Sequence, residues 1–217
     1  MAMTERENCP QRHWTLASAS PRRAELLRSA LDSFDIVVSP KPEPVRKPAS
    51  VEMEVWPVCL AHYKAKAVSA LIHSPHQSPQ PWGVIGADTI VEINGHAINK
   101  AHNAAHARRI LQSISGKMHR VITGVAIIIN DRTHLISAIA LCRMRRLTPS
   151  MLDRYIATGL WRGKAGAYGI QDADDPLVEI VSGDTTTVMG LPMPPLLKLL
   201  NRVESDNATQ HDSPPAC

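Results

Sequence analysis

The stretch VIGADTIVEINGHAINK, residues 84–100, carries a β-branched run into Asn94-Gly95 and out again. Such a run is a strand, and Asn-Gly is a strong two-residue hairpin signal because both central positions of the tight turn need positive φ. Asp88 therefore sits inside a strand. A carboxylate there is costly to bury without a cation, a metal or hydrogen-bond donors. The candidates are Lys100 across the hairpin, Lys64, and the pair Arg22-Arg23. A flush hairpin pairs residue 93 with 96 and therefore 89 with 100, which leaves Lys100 a diagonal neighbour on the opposite face from Asp88. A bulge would bring the two together.

Upstream, LASASPRR (16–23) reads as a strand, a loop and a helix start. Ser20 suits an N-cap, Pro21 the first helical position, and Ala24, Leu27 and Leu31 follow at helical spacing. Cations in a first helical turn are unfavourable against the partial positive charge of the free N–H groups unless an anion compensates them. Ser18, Ser20, Arg22 and Arg23 then converge as an oxyanion or phosphate cradle, the alternative being a solvated arginine pair. Two proline-rich loops, 39–50 and 73–83, bracket a helix in which Ala61, Ala65, Val68 and Ile72 repeat, and Lys64 lies beside its apolar row.

Downstream, a helix over 104–113 is capped by Asn103, RVITGVAIII and HLISAIALCRM form a second hairpin about Asn130-Asp131, and Thr148-Pro149 caps a helix ending near Gly159. AYGIQ and LVEIV read as short strands before a C-terminal helix from Pro194 to about Arg202. Long hairpins mixed with helices predict a mixed α/β or α+β fold without a repeating βαβ ladder. In KAGAYGIQ (164–171) close glycines let backbone approach a ligand, with Lys164 and Gln171 as polar contacts. His102 and His106 are four apart, but with no H-E-x-x-H they read as surface residues.

The 217 residues, 44% hydrophobic and 20% charged, suit one globular domain over 13–203 with flexible ends at 1–12 and 204–217. A net charge of +4 is too small to wrap a nucleic-acid duplex and suits a small polyanion. Four cysteines without C-x-x-C spacing read as free thiols of a reducing cytoplasm, and no apolar run is long enough to span a membrane. Neither a Walker A motif nor a G-x-S-x-G elbow occurs.

These segments together resemble the Maf (septum-formation-inhibitor-like) family of nucleoside triphosphate pyrophosphatases. The likeness rests on LASASPRRAELL (16–27), LAHYKAKAV (60–68), GADTIVEINGHAINK (86–100), LQSISGKMHRVITGVAI (111–127), KAGAYGIQ and VMGLPM (188–193). It implies a two-lobed fold of the Maf and inosine-triphosphatase kind, with a central mixed sheet, flanking helices and a deep cleft. It also implies a divalent cation (Mg²⁺, Mn²⁺ or Co²⁺), a homodimer, and cleavage of a triphosphate to monophosphate and pyrophosphate. By the same resemblance, Ser18, Arg22, Arg23, Lys64 and Lys100 hold phosphates, and Asp88 is the general base or a metal ligand. Thr89 and Gln171 help select the base.

The chain departs from the family pattern twice. The usual Asp-Glu pair after the first helix is reduced to Glu43 in SPKPEP, and Gly-Lys-Pro is Asn99-Lys100-Ala101. ADT (87–89) and KAGAYGIQ resemble the pyrimidine-directed branch, so dTTP and UTP are the expected substrates. The Gln171 amide, with one donor and one acceptor group, matches the N3–H and carbonyl edge of uracil and thymine. The rivals are a purine-directed pyrophosphatase and a non-catalytic, nucleic-acid-binding regulator of division. The latter demands steeply salt-dependent binding.

Overall fold

The computed structural model describes residues 12–72, 82–129, 132–172 and 177–211. Strand β3 (Trp82–Ile93) is its axis. β3 pairs antiparallel with β5 (Met118–Ile129) from Gly83 to Glu92. Along its other edge β3 changes partner: β1 (His13–Ala17) runs parallel to residues 82–86, and β4 (His96–Ile98) runs antiparallel to residues 91–93. Residues 87–90 lie between the two ladders. They leave a gap in the sheet edge, and Asp88 and Thr89 sit in it.

The sheet is completed by β2 (Asp35–Ile36) beside β1, and by β6 (Arg132–Met144) and β7 (Val178–Ser182) beyond β5, giving the order β2-β1-β3-β5-β6-β7 with β4 on β3. It is a mixed sheet, parallel at β1 and antiparallel elsewhere, as the family resemblance implies. The Asn94-Gly95 turn has positive φ at both positions, 51° and 80°. The Asn130-Asp131 turn lies outside the described residues, as do 1–11, 73–81 and 212–217.

Side chains alternate across β3. Helix α2 (Trp56–Ile72) covers the face of Val84 and Ile90 through Leu60, Ala61, Ala65 and Val68. It approaches very closely, because glycine stands where the helix crosses the sheet. A Cβ on Gly86 would lie 2.2 Å from the Ala61 carbonyl oxygen, and one on Gly124 would lie 2.3 Å from the Val58 nitrogen.

The opposite face carries two apolar clusters. In one, Trp14, Leu16, Ile85 and Ile127 pack against α1 (Pro21–Arg28) and α6 (Met193–His211) through Leu27 and Leu196, with Leu191 from the turn before α6. In the other, Val91, Val121 and Met144 pack against α3 (Ala104–Ile114) and α4 (Pro149–Thr158) through Leu111, Ile114 and Tyr155. The two lobes share β3 and β5, and the gap at 87–90 opens between them.

Two sequence readings are corrected. AYGIQ is not a strand, because Gly166 and Ala167 both take left-handed φ (69° and 58°) and turn the chain there. Its alternating apolar residues imitate strand periodicity while filling a loop. The C-terminal helix runs to His211, past the stop expected near Arg202. Among the described residues no helix is long and apolar enough to cross a membrane.

Gly124→Ala forces α2 away from backbone that cannot yield, so a stability loss of about 3 kcal/mol is expected in urea unfolding. A loss below about 0.5 kcal/mol would show that the close crossing is not required.

Candidate active site

Lys64 extends from α2 through the apolar layer onto the α2 face of β3, where its Nζ lies 2.5 Å from Asp88 Oδ1. Both side chains are buried, so each cancels much of the other's desolvation cost. A second carboxylate completes the arrangement, with Glu43 Oε2 standing 3.0 Å from the same ammonium. Its loop is tied to α2 by the Tyr63 hydroxyl, which donates to the Pro42 carbonyl at 3.1 Å. One glutamate thus reaches the site where the family pattern has an acidic pair.

The arginine pair divides its work. Arg23 donates from Nε to Gly190 O (2.8 Å), from Nη1 to Ala87 O (2.9 Å) and Ser18 Oγ (3.2 Å), and from Nη2 to Thr89 Oγ1 (3.0 Å). Burial lowers its pKa, with Asp88 acting in the opposite sense. The guanidinium thus plugs the gap in the β3 edge, and four of its five N–H groups are spent on the protein. Arg22 is different. Its Nε is buried with no hydrogen-bond partner among the described residues. A buried donor without an acceptor is costly, which marks it for an anion.

Thr89 is bound into the same knot. Thr123 donates its hydroxyl proton to Thr187 O (2.7 Å), so Thr89 must donate to Thr123 (2.9 Å) while accepting from Arg23. Its one proton is therefore engaged. Ser18 Oγ accepts from Ser20 N and from Arg23 (both 3.2 Å), which leaves its own proton to give. Ser20 holds the N-cap position without a side-chain capping bond.

Lys100 reaches the cleft without the bulge considered from sequence. β4 ends at Ile98, and Lys100 leaves that ladder to bridge Ala165. The cleft has three adjoining compartments. An inner one, about 70 Å³, is lined by Asp88, Thr89, Arg22, Lys100, Lys164 and Tyr168. An outer one, about 450 Å³, is lined by Ser18, Arg22, Glu43, Lys64, Lys100 and Arg162. A side one, about 280 Å³, is lined by Arg22, Lys164, Tyr168, Gln171 and Asp172.

Residues 13–203 match the sequence pattern of the family described as Maf-like protein. The chain belongs to that family. It is 37% identical to a dTTP/UTP pyrophosphatase of Pyrococcus furiosus over 85% of this chain and 92% of the relative. It is 39% identical to proteins of the same name from Yersinia pestis (91% and 98% covered) and Bacillus cereus (88% and 95%). The fold expected of the Maf resemblance is the one observed.

Sequence reading missed Asp172 and Arg162. Asp172 follows KAGAYGIQ directly, binds the Lys164 ammonium and accepts from the Tyr155 hydroxyl (2.6 Å), closing the loop that carries the exposed Gln171. Burial lowers the Lys164 pKa, and Asp172 opposes that. Behind the inner compartment the Tyr168 hydroxyl meets His119 Nε2 at 2.6 Å, and burial pushes the neighbouring Cys142 thiol up to about 11. His102 and His106 face one another on the exposed surface, Nδ1 to Nδ1 at 2.7 Å, and line none of the three compartments. Among the described residues no cluster of three or more His, Cys, Asp or Glu is poised for a metal.

Lys64→Met strands Asp88 as a buried carboxylate and should lower stability by about 3 kcal/mol in urea unfolding. Adding Asp88→Asn should restore most of the loss, and failure to do so would refute the pairing. Burial holds His119 below the ordinary imidazole value of 6.5, so on acidification the unfolded chain takes up this proton first. The stability it contributes is complete above about pH 6.5 and is lost as pH falls through the folded value. His119→Gln should therefore flatten the acid limb of stability against pH, and an unchanged slope would contradict this.

Proposed function

We propose that this protein hydrolyses dTTP and UTP to the monophosphate and pyrophosphate. The observation that carries the reading is the buried Nε of Arg22, which has no partner among the described residues, on a side chain lining the same inner compartment as Asp88. A cation lacking an acceptor beside a positioned carboxylate suits attack of water on a phosphoanhydride. The names of the relatives supply the nucleotide.

In this mechanism the α-phosphorus lies in the inner compartment, and Asp88 accepts a proton from the water that attacks it. The bond from the α-phosphorus to the bridging oxygen breaks as the new P–O bond forms, and pyrophosphate leaves toward the outer compartment. Arg22, Lys100 and the Ser18 hydroxyl neutralise and orient phosphate oxygens, and Lys64 keeps the Asp88 carboxylate in place between reactions. Lys164, partly neutralised by Asp172, faces the nucleoside side.

Glu43 and Asp88 both reach the Lys64 ammonium, at 3.0 and 2.5 Å, so positive charge beside two hard oxygen donors is already accommodated. That donor set fits Mg²⁺, Mn²⁺ or Co²⁺ held by one or two carboxylates together with substrate phosphates. When bound, the ion would neutralise charge on the phosphate oxygens.

Gln171, at the rim of the side compartment, reads the pyrimidine N3–H and a neighbouring carbonyl through its amide. The partner is a small triphosphate and not a polynucleotide, since Arg22 and Lys100 line a cleft instead of an open stripe. We also propose a cytoplasmic homodimer. The free thiols Cys59 and Cys142 support the first, and Leu135 and Ile139, exposed on the stretch of β6 that β7 leaves unpaired, support the second.

With a divalent cation, dTTP or UTP should yield equimolar monophosphate and pyrophosphate, with kcat/KM exceeding that for GTP and 7-methyl-GTP. Orthophosphate and diphosphate as first products would overturn the bond assignment. Asp88→Asn should lower kcat by roughly 10² to 10⁴ with the fold retained. Gln171→Ala should erode the pyrimidine preference, and an unaltered preference would remove Gln171 from base selection.

A further inference from the structure

The outer compartment contains a cation that the mechanism above does not use. α4 stops at Gly159, whose φ of 70° turns the chain back, and Arg162 N donates to Gly159 O at 3.1 Å. Within this turn Trp161 is the anchor. Its ring is only 4% exposed, and its Nε1 donates to Ile156 O at 3.2 Å. The turn therefore has a fixed backbone, and its next residue, Arg162, is placed on the wall of the outer compartment together with Ser18, Lys64 and Lys100.

Arg162 is exposed and makes no ion pair among the described residues. Its guanidinium carbon lies 4.8 Å from the Trp161 ring centroid. It also lies against Gly159, where a Cβ would stand 2.2 Å from Nη1. An exposed cation–π contact is weak, so the guanidinium can turn toward an anion while Trp161 keeps the turn in place.

The compartments set an order along the cleft. Gln171 lines only the side compartment, Asp88 only the inner one and Arg162 only the outer one. With the reacting phosphorus at Asp88 and the base toward Gln171, the outer compartment receives the far end of the triphosphate. Breaking the α–β anhydride releases a highly charged pyrophosphate there. Lys64 cannot neutralise it alone, because Asp88 and Glu43 already offset its single charge. A planar guanidinium can bind two oxygens of one phosphate side by side, which a lysine cannot match.

We propose that Arg162 is a substrate-binding residue that grips the terminal phosphates and the departing pyrophosphate. The proposal rests on reading the cleft as a triphosphate site. It is tested in the full chain with Arg162→Ala, Arg162→Lys and Arg22→Ala, measuring dTTP kinetics, inhibition by pyrophosphate and inhibition by dTMP. Arg162→Ala should raise KM for dTTP and weaken pyrophosphate inhibition about tenfold each, with dTMP inhibition changed less than about twofold. Arg162→Lys should recover part of both.

Unchanged pyrophosphate inhibition in Arg162→Ala, with Arg22→Ala weakened, would overturn the role of Arg162 alone. Equal weakening toward dTMP would reduce Arg162 to a structural part of the turn and equally overturn it. If Arg22→Ala also left KM and pyrophosphate inhibition unmoved, the triphosphate reading itself would fall.

Discussion

The site depends on one buried ammonium group that meets the buried carboxylate of Asp88 and the exposed carboxylate of Glu43. Lys64 can reach Asp88 only because α2 lies almost on the backbone of β3 and β5, and that approach exists only because Gly86 and Gly124 carry no side chains. A buried ion pair of this kind adds little net stability, since desolvation cancels most of the attraction, and an apolar pair of the same volume would pack there as well. Its presence is therefore not accounted for by folding stability alone. In the proposed mechanism the Asp88 carboxylate needs a counter-charge when the ligand is absent, and Lys64 supplies it.

The cleft itself follows from a change of strand partner. β3 leaves β1 after residue 86 and does not meet β4 until residue 91, so backbone that a continuous ladder would satisfy is open at this edge. Arg23 answers that need by donating to the Ala87 carbonyl, and through Thr89, Thr123 and Thr187 it joins β3, β5 and α5 (Thr185–Met189) in one hydrogen-bonded chain. Arg22 points elsewhere because neighbours on a helix are about 100° apart. Two identical residues, adjacent in sequence, thus stand in different surroundings: one closes the sheet edge, and the other holds a buried donor that meets no acceptor among the described residues.

What could be read from the sequence was local. The Asn94-Gly95 turn, the Asn103 and Thr148 caps, the Gly159 stop and the lodging of Asp88 within a strand each depend on a few consecutive residues, and all are found. What escaped was decided by partners far along the chain. No periodicity shows that the Thr89 hydroxyl is consumed by Thr123, or that Arg23 is drawn to Gly190. AYGIQ was misread because the alternation that makes a strand also serves a loop whose apolar residues turn inward, and only the left-handed pair Gly166-Ala167 separates the two. Asp172 stands one residue beyond KAGAYGIQ, and that proximity to Lys164 is the one local sign of their ion pair.

Lys100 shows how the two ends of the cleft are joined. In the family pattern a proline follows this lysine and stiffens the turn, whereas Ala101 follows it here. The position of Lys100 is fixed instead from across the cleft, by a backbone bridge to Ala165. Ala165 belongs to the loop closed by the Lys164–Asp172 ion pair and braced by the Tyr155 hydroxyl, and that loop also presents Gln171. Lys100 and Gln171, which the proposed mechanism assigns to the phosphates and the base, therefore share one support. In the proposed mechanism, disturbing this loop at the nucleoside end would also displace Lys100 at the phosphate end, so one short run of backbone would serve both base recognition and phosphate binding.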